Sequence, residues 1–322
     1  PRFKRKGIDL APMVESYHGK FHVDGAGRGG AVVFPKLGAL RAVIHRPLGG
    51  KPKQCALTRE GGAWFASITC EVEVADPLPS AEPPVAIDRG VAVLLADSDR
   101  RTVTNPRHVE KLQPRIARAQ RTVARRKKGS KNQTKARKRV AALQRKTRRQ
   151  REHTLHVESH RYAKSHGAVI VEKLNVKGMT KSAKGTVEAP GTNVAQKAGL
   201  NRAILGAGWS RFVEMLRYKV APHGARVIEV PAMYSSQTCS RCGCVEGESR
   251  REQDVFLCVR CGHFDNADIN AAQVLLARGM SVLAVEATVT GCGGLADGRP
   301  KRQQLRTARR GTRPGATAPA AR

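Results

Sequence analysis

Cys239-Ser240-Arg241-Cys242 and Cys258-Val259-Arg260-Cys261 are separated by fifteen residues. This C-x2-C-x15-C-x2-C spacing lets two knuckles close one tetrahedral thiolate site around Zn²⁺. Each pair is followed by a glycine, Gly243 or Gly262, where a knuckle turn favours a residue tolerant of positive φ. Phe256, leading into Cys258, suits a short hairpin between the pairs. The segment 233–264 is therefore expected to be a zinc ribbon with Cys239, Cys242, Cys258 and Cys261 as ligands. A closed four-cysteine site is structural rather than catalytic, so any chemistry must lie elsewhere. Cys244 and His263 break the knuckle spacing and are left out of the ligand set. The isolated Cys55, Cys70 and Cys292 read as small buried hydrophobes.

Charge narrows the partner. Lys and Arg number 59 against 26 Asp and Glu in 322 residues, a formal charge of +33. That excess repels itself in a compact chain unless an anion neutralises it, and the commonest polyanion is a nucleic-acid backbone. An ordinary metabolic enzyme is excluded as the default reading, while 40% hydrophobic residues suffice for a buried core. No run of 18 apolar residues occurs, and Pro1 to Gly7 carries charge instead of a signal-peptide core. With paired thiols used as metal ligands, the expectation is a cytoplasmic protein with no membrane partner. The sequence starts at Pro1 without an initiator Met, and we expect a processed chain or a fragment.

The order of elements is legible in outline. Ala31-Val32-Val33-Phe34 and Trp64 to Val72 alternate like strands of a small β-unit. Asp76 to Pro84 is Pro-rich and reads as a linker, which gives a β-rich, wedge-like nucleic-acid-binding domain over 1–84. Val85 to Leu95 is apolar enough for strands buried on both faces, with Asp88 interrupting it. A basic helical hairpin follows over 107–165. Its first helix carries Val109, Leu112, Ile116 and Val123 at helical spacing, Pro114 marks its first turn or a kink, Gly129 to Asn132 form the turn, and the second helix runs from about Lys135 to Ser165. Ala168 to Glu172 is another buried strand, a helix is expected around Leu200 to Val220, and Ala225 to Val230 is a third strand. The order β, α-hairpin, β, α, β is that of an α/β domain, placed over 85–232 with a last segment at 265–280. The Arg-, Ala- and Pro-rich remainder, 281–322, is expected to be a disordered basic tail.

From Arg115 to Arg151 there is no acid in 37 residues, too one-sided for a face balanced by its own ion pairs. We read Arg115, Arg118, Arg121, Arg125, Arg126, Lys127, Lys128, Lys138, Arg139, Arg145, Lys146, Arg148 and Arg149 as contacts to a nucleic-acid backbone, with affinity that falls steeply with salt. His153, His156, His160 and His166 read as surface or packing residues.

Acids embedded in apolar strands are the candidates for chemistry. Metal-assisted phosphoryl transfer needs carboxylates that converge from separate elements on two Mg²⁺ about 3.5–4 Å apart. Asp88 interrupts one apolar strand, Glu172 ends another, and Asp268 stands at an expected helix start. Singly, each also fits a turn or cap residue; together they are a candidate metal centre.

Five segments in order carry a resemblance: Ala86-Ile87-Asp88-Arg89-Gly90; Val169 to Met179; Leu200-Asn201-Arg202; Ser235 to Gly243; and Asp268-Ile269-Asn270-Ala271-Ala272. The set resembles the TnpB (OrfB) proteins of IS200/IS605-type transposons, relatives of the type V CRISPR effectors. The resemblance implies an RNase H-like (RuvC) nuclease domain of α/β class, split in sequence, with a zinc ribbon inserted before its last acid. It implies Asp88, Glu172 and Asp268 as a catalytic trio that binds Mg²⁺ for DNA cleavage, directed by a guide RNA derived from the transposon. Base pairing then supplies sequence while the protein supplies a basic channel, in accord with the charge. The chain departs from the family in Ala86 and Arg89, where Gly-Ile-Asp-Leu-Gly is usual. Family members also begin with a β-strand and a helical recognition region, which this sequence is expected to lack.

Two other readings remain. A truncated or catalytically inert relative would bind RNA or DNA and act as a repressor. A generic zinc-ribbon nucleic-acid binder accounts for charge and cysteines but leaves three acids at corresponding element ends without a reason.

Overall fold

Strands without polar side chains bury both faces, and two such strands form the centre of this protein. Val85, Ala86 and Ile87, and Val169, Ile170 and Val171, are all fully buried, as parallel neighbours in a covered sheet must be. In the computed structural model, residues 15–18, 21–35, 38–60 and 63–291 are described.

The N-terminal β-unit contains β1 (Glu15–His18), β2 (His22–Asp24), β3 (Ala31–Phe34), β4 (Gly38–Arg41), β5 (Lys51–Glu60) and β6 (Ala63–Glu71). β1, β5 and β6 form one antiparallel sheet and β2, β3 and β4 another. Alternation sends Cys55 and Leu57 of β5 inward against Phe21, Val32 and Phe34. Cys55 is thus the buried hydrophobe that was expected, Cys70 is half-buried, and Cys292 lies outside the described residues.

The linker is not free. Ser80 donates its N–H to the Gly224 carbonyl at 3.1 Å, and Gly167 donates to the Glu82 carbonyl at 3.2 Å, so the residues that lead into two adjacent strands of the following sheet hold it.

The central sheet has the order β11-β10-β7-β8-β9, built from β7 (Pro84–Asp88), β8 (Val93–Asp97), β9 (Thr102–Thr104), β10 (Ala168–Lys173) and β11 (Arg226–Pro231). β10 runs parallel to both β7 and β11, whereas β8 is antiparallel to its two neighbours, β7 and β9. The register pairs Val171 with Ile87, so Asp88, the last residue of β7, and Glu172, the last but one of β10, stand at the same level.

Between β9 and β10 come α1 (His108–Ala124) and α2 (Lys131–Ser165). α1 buries Leu112, Ile116 and Ala119, one helical stripe. α2 starts at Lys131, four residues earlier than expected, because Ser130 Oγ accepts the Gln133 N–H at 3.1 Å while Gln133 Oε1 accepts the Gly129 N–H at 2.9 Å. Its 35 residues make a rod about 50 Å long. Pro114 lies inside α1, past the first turn, and withholds a donor from the Glu110 carbonyl. The far end of α2 is anchored: Leu155, Tyr162 and Ala163 join the main core with Phe212, Met215 and Leu216. Tyr162 meets Phe212 edge-on at 6.4 Å and donates its hydroxyl to Asp97 Oδ2 at 2.8 Å.

After β10 come α3 (Val176–Met179), α4 (Val194–Ala207) and α5 (Trp209–Val220). The single helix expected around Leu200 to Val220 is thus two helices. Gly208, at φ 75, breaks them, and its left-handed backbone is the usual glycine terminator. The ribbon adds β12 (Val255–Leu257) and β13 (Phe264–Asn266), and β13 runs directly into α6 (Ala267–Gly291). The tail expected to be disordered from residue 281 is therefore helical through Gly291, and residues 292–322 lie outside the described residues. The described residues up to Met280 belong to one compact unit and those from Ser281 to Gly291 to a second. Among the described residues, no helix is long and apolar enough to cross a membrane.

Candidate active site

The four cysteines meet. Cys239 Sγ lies 3.7 Å from Cys261 Sγ, Cys242 Sγ lies 3.6 Å from Cys258 Sγ, and all four sulfurs fall within 4.8 Å of one another. Sulfurs about 2.3 Å from a tetrahedral zinc would be about 3.8 Å apart, so the donor set fits that ion. The two knuckles repeat one design. Gly243 N–H returns to the Cys239 carbonyl at 2.9 Å and Gly262 N–H to the Cys258 carbonyl at 3.0 Å; both glycines have positive φ, 72° and 67°. Cys244 and His263 contribute carbonyls, which accept from Cys239 N–H (2.8 Å) and Cys258 N–H (2.9 Å), and their side chains are outside the sulfur cluster. N–H groups of Cys261 and Arg260 aimed at its sulfur pull the Cys258 thiol down to about 6, toward the thiolate that ligation requires.

α6 is locked to the ribbon by residues whose role the sequence did not reveal. Asn266 Oδ1 caps the helix, accepting from the N–H groups of Asp268 (3.0 Å) and Ile269 (3.2 Å). The fully buried Asn270 accepts from Ser240 N–H at 3.0 Å and donates to the Thr238 carbonyl at 2.8 Å. The second residue of α6 is Asp268.

Asp88, Glu172 and Asp268 interact across these elements. Burial holds the Asp88 carboxyl well above the usual carboxylate range, and the charges of Glu172 and Asp268, with a hydrogen bond to Glu172, add to that. Burial also raises Asp268, which Arg250 from the ribbon opposes at 3.6 Å. Glu172 is 7% exposed, and its Oε1 accepts the Arg89 N–H at 3.1 Å. The Arg89 guanidinium donates to the Glu172 carbonyl oxygen. Like charges gathered in a buried place favour either protonation or a cation. The chemistry of this donor set fits divalent ions, although among the described residues only the four cysteines bring their ligand atoms within 4.8 Å of one another. Ligands of two ions spread wider than those of one tetrahedral ion.

The basic residues of the hairpin divide into groups. Arg115, Arg118, Arg126, Lys135 and Arg139 line a cleft of about 420 Å³ between α1 and α2. Arg121, Arg125, Lys127, Lys128, Lys138 and Lys146 are exposed, and Arg145 is half-buried. Arg148 and Arg149 pair instead with Glu60 at the end of β5, the latter at 3.5 Å, and Arg149 lies over the Phe65 ring at 5.6 Å. Beside it the exposed Trp64 carries Arg59 at 5.9 Å. These aromatics were not singled out in the sequence, where an alternating strand hides which face is solvated. His156 and His160 are exposed and His166 packs on Tyr162, as surface or packing residues do.

Two family models match the chain. Residues 67–183 match OrfB_IS605, described as "Probable transposase", and residues 209–275 match the Cas12f1-like TNB domain. InsQ of Escherichia coli (strain K12), named as a candidate RNA-guided DNA endonuclease, is 35% identical over 305 residues, covering 94% of this chain and 73% of InsQ. A Streptomyces pristinaespiralis protein of the same description is 34% identical over 82% of this chain and 60% of its own length. The chain thus spans about three quarters of one of these relatives and three fifths of the other. Among solved structures, a Cas12f1–sgRNA–target DNA complex matches 84% of this chain and 68% of its own at 16% identity with a TM-score of 0.41. On the length and identity of its match to InsQ, the chain belongs to the TnpB (OrfB) family of IS605-type transposon proteins.

Proposed function

We propose that this protein is a transposon-encoded, RNA-guided DNA endonuclease. One observation carries the reading: Asp88 and Glu172 stand at one level near the ends of adjacent parallel strands, and Asp268 enters the electrostatic range of Asp88 from the start of α6. A five-stranded sheet ordered 3-2-1-4-5 by position in the chain, with only the second strand antiparallel to the rest, supports an RNase H-like (RuvC) domain. We assign residues 85–232 and 265–280 to it, 233–264 to a zinc ribbon, and 1–84 to a β-rich nucleic-acid-binding domain. Names of relatives support guided DNA cleavage, and guide RNA and target DNA are the proposed partners. A reducing cytoplasm suits seven free thiols among the described residues.

In this reading Asp88, Glu172 and Asp268 would hold Mg²⁺. Bound there, the ions supply Lewis-acid stabilisation of the phosphate and a more acidic attacking water. The chain's own residues do the positioning. β7 and β10 fix two carboxylates on rigid strands, and Asn266 and Asn270 fix the third. Arg250 holds Asp268 from the ribbon side. Cys239, Cys242, Cys258 and Cys261 would hold Zn²⁺ as a structural ion, which supplies the bonds that keep the knuckles closed. The α1–α2 cleft brings five cations to one place for a phosphate backbone.

The test is cleavage. The protein is expressed with its native flanking DNA, the co-purifying RNA is sequenced, and a matching DNA is offered with Mg²⁺. Cleavage that Asp88→Ala abolishes supports the proposal; undiminished cleavage by that variant overturns the assignment. A second reading, an RNA- or DNA-binding protein without cleavage, is favoured by the spread of the acids: among the described residues only the four cysteines bring ligand atoms within 4.8 Å of one another. A defined bound RNA with no Mg²⁺-dependent cut by the parent would select it.

A further inference from the structure

Arg89 is the buried charge that the proposed chemistry leaves unused. It is 6% exposed, and burying a guanidinium costs free energy unless partners offset it. Its hydrogen bonds are few. One guanidinium nitrogen donates to the Glu172 carbonyl, and the buried Nε has no partner. What faces it is negative charge from three strands: Asp88 on β7, Glu172 on β10 and Glu229 on β11. Glu229 is already shared with Arg217 at 2.9 Å, so the charges left for Arg89 are Asp88 and Glu172. Its main-chain N–H meanwhile holds Glu172 Oε1 at 3.1 Å. One residue therefore grips Glu172 at both its carboxylate and its peptide, and adds one positive charge to a cluster of three acids.

We propose that Arg89 is a positioning residue and the built-in counter-charge of the acid centre. It keeps Asp88 and Glu172 together when no divalent ion is present, and it competes with that ion for their charge, so the protein binds the metal more weakly than its three carboxylates alone would. The inference rests on the reading that Asp88, Glu172 and Asp268 hold divalent ions. The guanidinium stays ionised at any ordinary pH, so the effect is a constant of the site. The two grips are separable, because the N–H contact survives any substitution except proline whereas the charge does not.

The experiment measures Mn²⁺ binding to the full, zinc-loaded chain freed of nucleic acid, by calorimetry and by electron paramagnetic resonance. Arg89→Gln keeps a donor but removes the charge, and it is expected to bind Mn²⁺ about tenfold more tightly. Arg89→Lys keeps the charge and is expected to stay within about twofold of the parent. If Arg89→Gln does not fold, Arg89→Met, which fills the apolar part of the space, carries the same expectation. Unchanged or weaker binding in the neutral variant overturns the proposal, as does a lysine variant that behaves like the neutral one. Asp88→Asn separates the two levels. If it leaves Mn²⁺ binding intact, the acid centre itself is misassigned. If it removes binding while Arg89→Gln changes nothing, only the role of Arg89 falls.

Discussion

Arg100 and Asp265, 165 residues apart, form a two-pronged ion pair, Nη1 to Oδ2 at 2.9 Å and Nη2 to Oδ1 at 2.6 Å. It joins the turn between β8 and β9 to the strand from which α6 starts. Asp265 is buried and Arg100 is 60% exposed on its side chain, so the acid depends on its partner more than the base does. The next residue is the Asn266 cap, and Asp268 stands three residues on. A tie at Asp265 therefore sets where the third acid enters.

This pair gives a pH prediction. Burial alone would raise the Asp265 carboxyl, but the Arg100 fork and the Asn266 N–H outweigh it and leave the group below its ordinary value. A depressed carboxylate adds stability that is present above its unfolded pKa and is lost as pH falls through the folded one. Asp265→Asn is expected to lower the thermal midpoint at pH 7 by about 3 °C. The difference from the parent should hold above about pH 5 and vanish in strong acid, which melting curves between pH 2 and 7 would show.

Asp88 gives the opposite sign. Asp88 is raised by burial and by its acidic neighbours, so its ionisation costs stability as pH rises through its unfolded value. In chelator at pH 7, Asp88→Asn should melt higher than the parent, and the gap should close in acid. The same substitution should reduce cleavage of guide-matched DNA by at least about a thousandfold, while binding of that DNA persists. Melting curves and a cleavage time course check the two halves independently.

Removal of zinc should disable more than the ribbon. Asn270 bonds to Ser240 and Thr238 beside the first knuckle, so loss of Cys239 or Cys258 frees the start of α6 and with it Asp268. Structural zinc contributes on the order of 10 kcal/mol to small metal-folded units. One zinc per chain is expected by elemental analysis, and Cys258→Ser should lose both that zinc and cleavage, with the main sheet still folded by circular dichroism.

The cleft between α1 and α2 predicts a salt effect. Replacing Arg118, Arg126 and Arg139 together with glutamine should weaken binding of RNA or DNA and make the slope of log affinity against log salt shallower by about 2 to 3. Replacing Arg148 and Arg149 should change that slope less, because Glu60 already engages both. Titration at several salt concentrations decides it.

Much of this was visible in the residues. Runs such as Val169-Ile170-Val171 can only be buried strands, and cysteine spacing dictates knuckles, so the main strands and the ribbon were expected where they occur. β9 was not foreseen, because Thr102-Val103-Thr104 is short and half exposed. The break at Gly208 was missed because a single glycine is tolerated in many helices. At the candidate site Asp88 and Glu172 were legible as acids in apolar strands, and Asp268 as an acid at a helix start. Arg89, Arg100, Asp265 and Asn270 were not, since their meaning lies in partners between 30 and 165 positions away, and no local pattern announces such pairs.

The parallel pairing of β7 with β10 also has a temporal side. The three acids sit at positions 88, 172 and 268, so the last follows the first by 268 minus 88, or 180, residues. At about 5–20 residues per second on the ribosome, Asp88 waits on the order of ten seconds or more for its final companion. A chain interrupted between Glu172 and Asp268 carries two of the acids and lacks the third, and under the proposed function a transposon whose reading frame is broken there yields a product that keeps its helical arm for nucleic acid while having no complete centre with which to cut DNA.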